Sequence, residues 1–249
     1  MIDAQHAFLL GTLFFAASIL YSSVGHGGAS GYLAAMALFG IVPAVMRPTA
    51  LVMNIAVASI SLYKFSRSNG FDWRLFWPFA VAAVPMAFVG GRMQLPILWF
   101  GILVGSVLMF SAVRLFIETL GADKEPRTIK GPPPIALALV LGAAIGLLSG
   151  LTGVGGGIFL SPLLVLAGWA TVRDSAAPTA AFVLINSVSG LLGLLSRQPA
   201  LPDALPYWVA VVIVGGLIGA SYGSRRLGNN AMRQALAVVL VIAGAKMIL

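Results

Sequence analysis

The hydrophobic and polar positions of the chain alternate in long blocks rather than in short amphipathic periods. Most of the apolar blocks approach the roughly 20 residues that a helix needs to cross a bilayer. Short polar connections separate them, so the pattern predicts a bundle of membrane helices. The ten predicted segments are Ala7–Val24, Gly31–Val42, Thr49–Tyr63, Leu75–Val89, Ile97–Ile117, Ile135–Leu151, Ile158–Gly168, Ala177–Leu195, Tyr207–Ser221 and Ala231–Leu249.

Two of these blocks, Gly31–Val42 and Ile158–Gly168, are too short to span a membrane, and each follows a glycine-rich stretch. We call these stretches the first break (Ser22–Gly31) and the second break (Ser149–Gly157). Irregular backbone is tolerated at membrane depth only inside protein or beside a wet cavity. A new helix should start after each break, and its first N–H groups should lack helical partners.

The longest polar stretch, residues 118–134, divides the chain into two halves. It carries mixed charges and ends in Pro132–Pro134, which is typical of a linker. Five predicted segments lie on each side of it. The sequence therefore predicts an N-terminal repeat at residues 1–117, a linker at 118–134 and a C-terminal repeat at 135–249.

The two halves resemble each other in sequence. Val24–Gly27 aligns with Val154–Gly157 at an offset of 130, and a Pro-Thr-Ala triplet follows each break at the same offset. An asparagine, Asn54 or Asn186, follows each triplet. Because five segments is an odd number, the second half should start on the opposite face of the membrane. The predicted fold is an all-α integral membrane protein, a polytopic bundle of two five-segment inverted repeats with glycine-rich helix breaks.

Composition supports a lipid environment, because 59% of the residues are hydrophobic and only 9% are charged. A soluble domain carries roughly 25% charged residues. There is no cysteine, which excludes disulfides and thiolate sites. The net charge of +8 would suggest nucleic acid in a soluble protein, but here the basic residues are scattered singly through short loops. We expect no nucleic-acid partner.

The distribution of lysine and arginine predicts the orientation in the membrane, since cytoplasmic loops carry an excess of both. With the loops between segments numbered in order, the odd loops hold ten such residues and the even loops hold three. Both termini should therefore face the periplasm and the linker the cytoplasm. The even-loop residues are Arg47, Arg92 and Arg197; the odd-loop residues are Lys64, Arg67, Arg74, Lys124, Arg127, Lys130, Arg173, Arg225, Arg226 and Arg233.

All seven acidic residues lie outside the middle of the segments. Proton and cation carriers usually place a carboxylate within the membrane, so its absence favours an anion as the substrate. Lysine and arginine are also absent from mid-segment positions near the breaks. Two helix N-termini meeting at the breaks would then have to stabilise the anion. The alternative is that the glycines only permit close helix packing.

Five polar side chains need a role in this interpretation. His26 is either an anion donor or proton carrier, or a histidine hydrogen-bonded within the first break. Asn54 and Asn186 either line a pathway or bond another helix. Thr49 and Thr179 follow prolines and are better explained as helix caps. The candidate substrate-binding residues are Gly25, His26, Gly27, Gly28, Asn54, Thr152, Gly153, Gly155, Gly156, Gly157 and Asn186.

Enzyme motifs in the chain lack the partners that their chemistry needs. Gly28–Gly31 matches the serine motif of rhomboid proteases, whose chemistry needs a histidine base on another helix. The two histidines of the chain are His6, near the N-terminus, and His26, which is close to the motif itself, so neither is a suitable base. Gly219–Gly223 fits Gly-x-Ser-x-Gly without an acid–histidine pair. Gly153–Gly157 resembles a phosphate loop without its lysine. We expect no catalytic residue, cofactor or metal.

The doubled breaks, each followed by Pro-Thr-Ala (Pro48–Ala50 and Pro178–Ala180) and an asparagine, together with the charged linker, resemble the TauE/SafE family of sulfite and organosulfonate exporters. The resemblance covers nearly the whole chain. It implies a multi-pass inner-membrane exporter of sulfite, sulfoacetate or a related anion, whereas the residues alone indicate only an anion transporter. A homodimer is expected only because many transporters form one. The alternative function is a non-transporting subunit or assembly factor of a membrane complex.

Overall fold

A computed structural model describes residues 4–120, 131–196, 201–224 and 230–248. Within these ranges the chain is helical, and six helices are long and apolar enough to cross a membrane. The predicted all-α bundle is confirmed. Residues 121–130 of the predicted linker lie outside the described residues. The helices are α1 (Ala4–Ser22), α2 (Ala29–Leu38), α3 (Pro43–Asn69), α4 (Trp77–Arg92), α5 (Ile97–Leu120), α6 (Ile135–Thr152), α7 (Gly157–Leu166), α8 (Val172–Leu195), α9 (Leu205–Gly223) and α10 (Asn230–Ile248), with a 3₁₀ turn at Trp73–Leu75.

Two helix starts differ from the sequence prediction. The predicted segments began at Thr49, directly after Pro48, and at Ala177, directly before Pro178, but α3 begins at Pro43 and α8 at Val172. Pro48 and Pro178 therefore lie inside these helices. Interior prolines are tolerated in membrane helices because neighbouring groups take over the freed backbone carbonyls.

Glycines let two pairs of parallel helices approach at backbone distance. α6 packs along α4, and α9 packs along α1. In both pairs three glycines spaced four residues apart lie where any Cβ would meet the facing carbonyl oxygens, as expected for small residues at membrane helix interfaces. Residue numbers increase together along each contact, so the paired helices run in the same direction. The contacts are Gly142 with Phe79, Gly146 with Ala83, Gly150 with Ala87, Gly215 with Phe15, Gly219 with Ile19, and Gly223 with Ser23.

The corresponding helices of the two halves pack on each other in opposite directions. α3 packs on α8, and α5 packs on α10. Asn54 contacts Ser187, whereas Asn69 near the end of α3 contacts Arg173 near the start of α8. A larger share of α3 and α8 is buried than of any other spanning helix. These two antiparallel helices therefore form the centre of the bundle.

The contacts define two ends of the molecule. At one end, which we call the termini end, the His6 ring lies 5.6 Å from the Phe39 ring, and Lys246 near the end of α10 donates to the Leu38 carbonyl oxygen at 2.9 Å. At the opposite end, which we call the linker end, Ser68 donates to the Ser224 carbonyl oxygen at 3.1 Å. α6, which follows the linker, starts at this second end because it runs parallel to α4.

Candidate functional site

The first break is a turn of backbone built on glycines. Gly25 has φ +80° and Gly28 has φ +103°, a region that residues with a Cβ rarely adopt. α2 begins after Gly28 without a side-chain cap. Tyr32 Oη donates to the Gly27 carbonyl oxygen at 3.0 Å, which holds the break against the first turn of α2. The N–H groups at the start of α2 have no helical acceptor.

The second break repeats this construction. Gly153, Gly155 and Gly156 all have positive φ, and α7 begins at Gly157 without a side-chain cap. The Thr152 hydroxyl donates to the Leu148 carbonyl oxygen at 2.7 Å and accepts from the Val154 N–H at 3.3 Å. Thr152, predicted as a ligand, therefore has its hydroxyl engaged in shaping the break.

The two breaks meet around Asn54 of α3. Asn54 Nδ2 donates to the Val154 carbonyl oxygen at 3.1 Å and lies 3.4 Å from Ser187 Oγ. A Cβ on Gly27 would collide with the Asn54 side chain, and one on Gly155 would lie 2.5 Å from Nδ2. The Asn54 side chain therefore lies between the first break and the second and contacts both.

Residues of the first break and of α8 also reach the start of α7. A Cβ on Gly157 would lie 3.2 Å from His26 Cδ2, 3.2 Å from Thr179 Cγ2 and still closer to Val183. Val183 also lies beside Gly27. His26 is half-buried, while the glycines around it are buried. Among the predicted residues, His26, Gly27, Asn54, Gly155 and Gly157 therefore come together at one place.

Among the described contacts, Asn186 lies beside the second break and not beside the first. Its Nδ2 is 3.6 Å from the position of a Cβ on Gly156, beside Phe182 and Ile145. Neither its Nδ2 nor its Oδ1 has a hydrogen-bond partner among the described residues, and the side chain is fully buried. Leaving a buried polar group unsatisfied costs about 1–3 kcal/mol. An amide kept there without a protein partner is suited to a ligand.

Several buried hydroxyls share this condition, and three of them lie close to the breaks or to the Pro-Thr-Ala triplets. Sequence reasoning missed their meaning. Thr49 and Thr179 are not helix caps, because each lies inside its helix, fully buried and without a partner among the described residues. Ser149, in the last turn of α6, is the third. Ser187, which contacts Asn54, was also missed, since nothing in the sequence marks one serine among many.

Arg47 contradicts the expectation that no cation lies near the breaks. It was predicted to lie in a loop, but it lies inside α3, is buried, and has its backbone 3.2 Å from the position of a Cβ on Gly153. Its guanidinium donates to four carbonyl oxygens from α4, α6 and the residue after α4, a cluster we call the Arg47 clasp. The acceptors are Gly150 at 2.8 Å, Gly90 at 3.0 Å, Met93 at 3.1 Å and Gly91 at 3.3 Å.

A cavity of about 420 Å³, which we call the vestibule, lies at the linker end. It is formed by the end of α1, the ends of α3 and α9, and the start of α8. Ser23 and Val24 bring it to the first break, where a Cβ on Gly25 would lie 2.6 Å from the Ala176 carbonyl oxygen. The lining residues are Ser23, Val24, Phe65, Asn69, Thr171, Val172, Arg173, Ala176, Gly223 and Ser224.

Comparison with known proteins agrees with these features. The family model "Sulfite exporter TauE/SafE" matches residues 9–247. The chain belongs to the TauE/SafE family. A relative from Sinorhizobium fredii (strain NBRC 101917 / NGR234), described as "Probable membrane transporter protein y4hK", is 39% identical over 239 residues, which cover 96% of this chain and 97% of the relative. No solved structure matches. Membership in the TauE/SafE family and the six apolar helices make the chain a multi-pass membrane protein of a transporter family.

Proposed function

We propose that the chain is a secondary transporter of small sulfur-containing oxyanions, such as sulfite, sulfoacetate or a related organosulfonate, and that it exports them across the inner membrane. The observation that carries the proposal is the meeting of two glycine breaks, each followed by a short helix without a side-chain cap, around Asn54. The family description and the relative's description both support transport.

The chemistry of the breaks suits an anion. An anion that enters the membrane loses its hydration, so the site must supply hydrogen bonds and positive potential. Each helix N-terminus contributes on the order of 1 kcal/mol or more when buried. The Asn186 amide and the Thr179 hydroxyl add donors that have no partner in the part of the chain that the structure describes, at roughly 1.5–3 kcal/mol for each hydrogen bond to a charged group. The Arg47 guanidinium beside the second break is engaged with backbone carbonyl oxygens, so the donors at the site are neutral groups. Such a site binds weakly, which suits a carrier that must release its substrate.

The conformation fits one state of an alternating-access cycle. The vestibule opens at the linker end and reaches the first break. Beside the second break, the Arg47 clasp joins α3 to α4 and α6. We propose that the clasp closes the route to the termini end and that it loosens when the carrier opens there.

Flux measurements in liposomes test this proposal. Purified protein should move at least one member of a panel of radiolabelled sulfite, sulfate, sulfoacetate and taurine faster than protein-free vesicles do. Sulfite or an organosulfonate should be moved faster than sulfate. A folded, reconstituted chain that moves none of the panel would contradict the proposal and favour a subunit or assembly factor.

A further inference from the structure

We infer that Arg173 and Asn69 form an anion-capture site in the vestibule, separate from the site at the breaks, which receives the substrate from the linker end. The inference rests on the proposed function, since it assumes that the carried species is a small oxyanion. Its ligand is the oxyanion group itself, a sulfite or sulfonate head.

The geometry presents the guanidinium to the cavity. Arg173 Nε donates to Asn69 Oδ1 at 2.8 Å, and Asn69 Nδ2 lies 3.4 Å from the Arg173 carbonyl oxygen. This pair fixes the plane of the guanidinium between the end of α3 and the start of α8. No other hydrogen bond or ion pair of this side chain occurs among the described residues. Its two terminal nitrogens can therefore bind an oxyanion in the forked manner typical of arginine.

The carboxylate of the next residue in the chain is engaged elsewhere. Asp174 follows Arg173 directly, but its Oδ2 accepts the Thr171 hydroxyl at 2.6 Å, and Thr171 in turn accepts the Asp174 N–H at 3.1 Å. This reciprocal cap keeps Asp174 at the N-terminus of α8, where the helix dipole favours a negative charge. Asp174 does not line the vestibule, whereas Arg173 and Asn69 do.

The capture site has no counterpart in the other half. The repeat offset of 130 places Pro43 opposite Arg173, so α3 begins without a cation where α8 begins with one. The vestibule would then concentrate anions at the linker end of an otherwise repeated carrier. If that end faces the cytoplasm, this asymmetry favours export, because substrate is collected where it must be picked up.

A single-cysteine experiment tests the role of the charge, and the chain contains no native cysteine to interfere. Arg173→Cys should raise the KM for the transported panel anion about fivefold when the anion is supplied at the linker end. Modification with a trimethylammonium-ethyl methanethiosulfonate, which restores a positive charge, should recover most of the loss. A sulfonate-ethyl reagent should not. Arg67→Cys is the matched control, since Arg67 is exposed near the same end of α3, stacks over Tyr63 and does not line the vestibule.

A second measurement is independent of transport. Val172→Cys places a thiol in the vestibule beside Arg173. The ratio of its modification rates by the anionic and cationic reagents should fall about fivefold when Arg173→Gln is added, and it should be unchanged when Arg67→Gln is added. Equal ratios in all three proteins, or equal KM values for Arg173→Cys and Arg67→Cys, would overturn the capture site. Failure of the wild-type chain to move any panel anion would instead overturn the proposed function.

Discussion

Buried polar side chains in this bundle fall into two groups with different chemical meaning. One group is engaged with the chain's own backbone: Arg47 donates to four carbonyl oxygens, and the Thr152 hydroxyl links Leu148 of α6 to Val154 of the second break. The other group, which includes Asn186 and Thr179, has no partner among the described residues. Substitution in the first group should affect folding, whereas substitution in the second should affect the substrate.

The two asparagines provide a direct test of this difference. Asn186→Ala should raise KM about tenfold with little change in stability, because the amide bonds nothing else that the structure describes. Asn54→Ala should lower both stability, by about 1–3 kcal/mol, and transport, since it leaves the buried Val154 carbonyl oxygen without its donor. The measurements are liposome uptake and thermal unfolding in detergent. Equal loss of stability in both variants would argue that Asn186 also serves only to pack helices.

The Arg47 clasp should be a major source of stability. Arg47→Met should destabilise the fold by about 3–5 kcal/mol, since it removes the donor for several buried carbonyl oxygens at once. Arg47→Lys should be intermediate, because an ammonium keeps the charge but cannot reach all four acceptors. Unfolding in detergent, followed by size-exclusion chromatography, measures both. Arg92→Gln is the control, an exposed arginine over the Phe88 ring, and it should stay within about 0.5 kcal/mol of the wild type.

The breaks and their short helices were recognisable in the sequence because glycine density and a short apolar block are local signals. The starts of α3 and α8 were not, because a proline is an equally good sign of a helix start and of a tolerated interior kink. The burial of Arg47 was also hidden. Its position depends on carbonyl oxygens more than forty residues away, in α4 and α6, and no local pattern records such a contact.

Gly27 and Gly155, the glycines of the breaks that face Asn54, should tolerate no side chain. Gly27→Val and Gly155→Val should abolish uptake while leaving membrane insertion intact. At Gly27 the added Cβ collides with the Asn54 side chain. At Gly155 it also collides with Asn54, and the backbone φ of +80° is strained for a residue with a Cβ. Gly40→Val is the matched control, since Gly40 also has positive φ (+69°) but nothing lies within 4 Å of its Cβ position. Uptake comparable to that of the wild type from both break variants, in well-folded protein, would show that the breaks only pack helices.

The packing of the whole bundle supports the predicted inverted repeat. Under an axis in the membrane plane, each helix that packs on its own counterpart must run antiparallel to it, and α3 on α8 and α5 on α10 do so. Under an axis along the membrane normal they would be parallel. In this repeat α1 corresponds to α6 and α4 corresponds to α9. The same two-fold rotation therefore turns the parallel pair α4–α6 into the parallel pair α9–α1, and both pairs are present. The inverted relation stays a prediction, and an experimental structure in lipid would test it.

The orientation of the bundle in the membrane should follow its charges. Of the odd-loop residues, Lys64, Arg67 and Arg74 near the end of α3 and Arg173 at the start of α8 are described, and they belong to the linker end. Burial of Arg47 within α3 removes one of the three residues counted for the even loops, and Arg92 lies at the end of α4. The others, Lys124, Arg127, Lys130, Arg197, Arg225 and Arg226, lie outside the described residues, and so does the side chain of Arg233. Because the first turns of α1 and the last turns of α10 lie at one end, both termini must share a side, and the charge difference predicts the periplasm for that side. A C-terminal alkaline phosphatase fusion should therefore be active in intact cells and a C-terminal green fluorescent protein dark. Fusions truncated within the linker, after Lys130, should show the reverse. A fluorescent C-terminal fusion would show that the orientation is the opposite of the predicted one. The vestibule, with its Arg173 site, would then lie on the periplasmic side and would favour uptake instead of export.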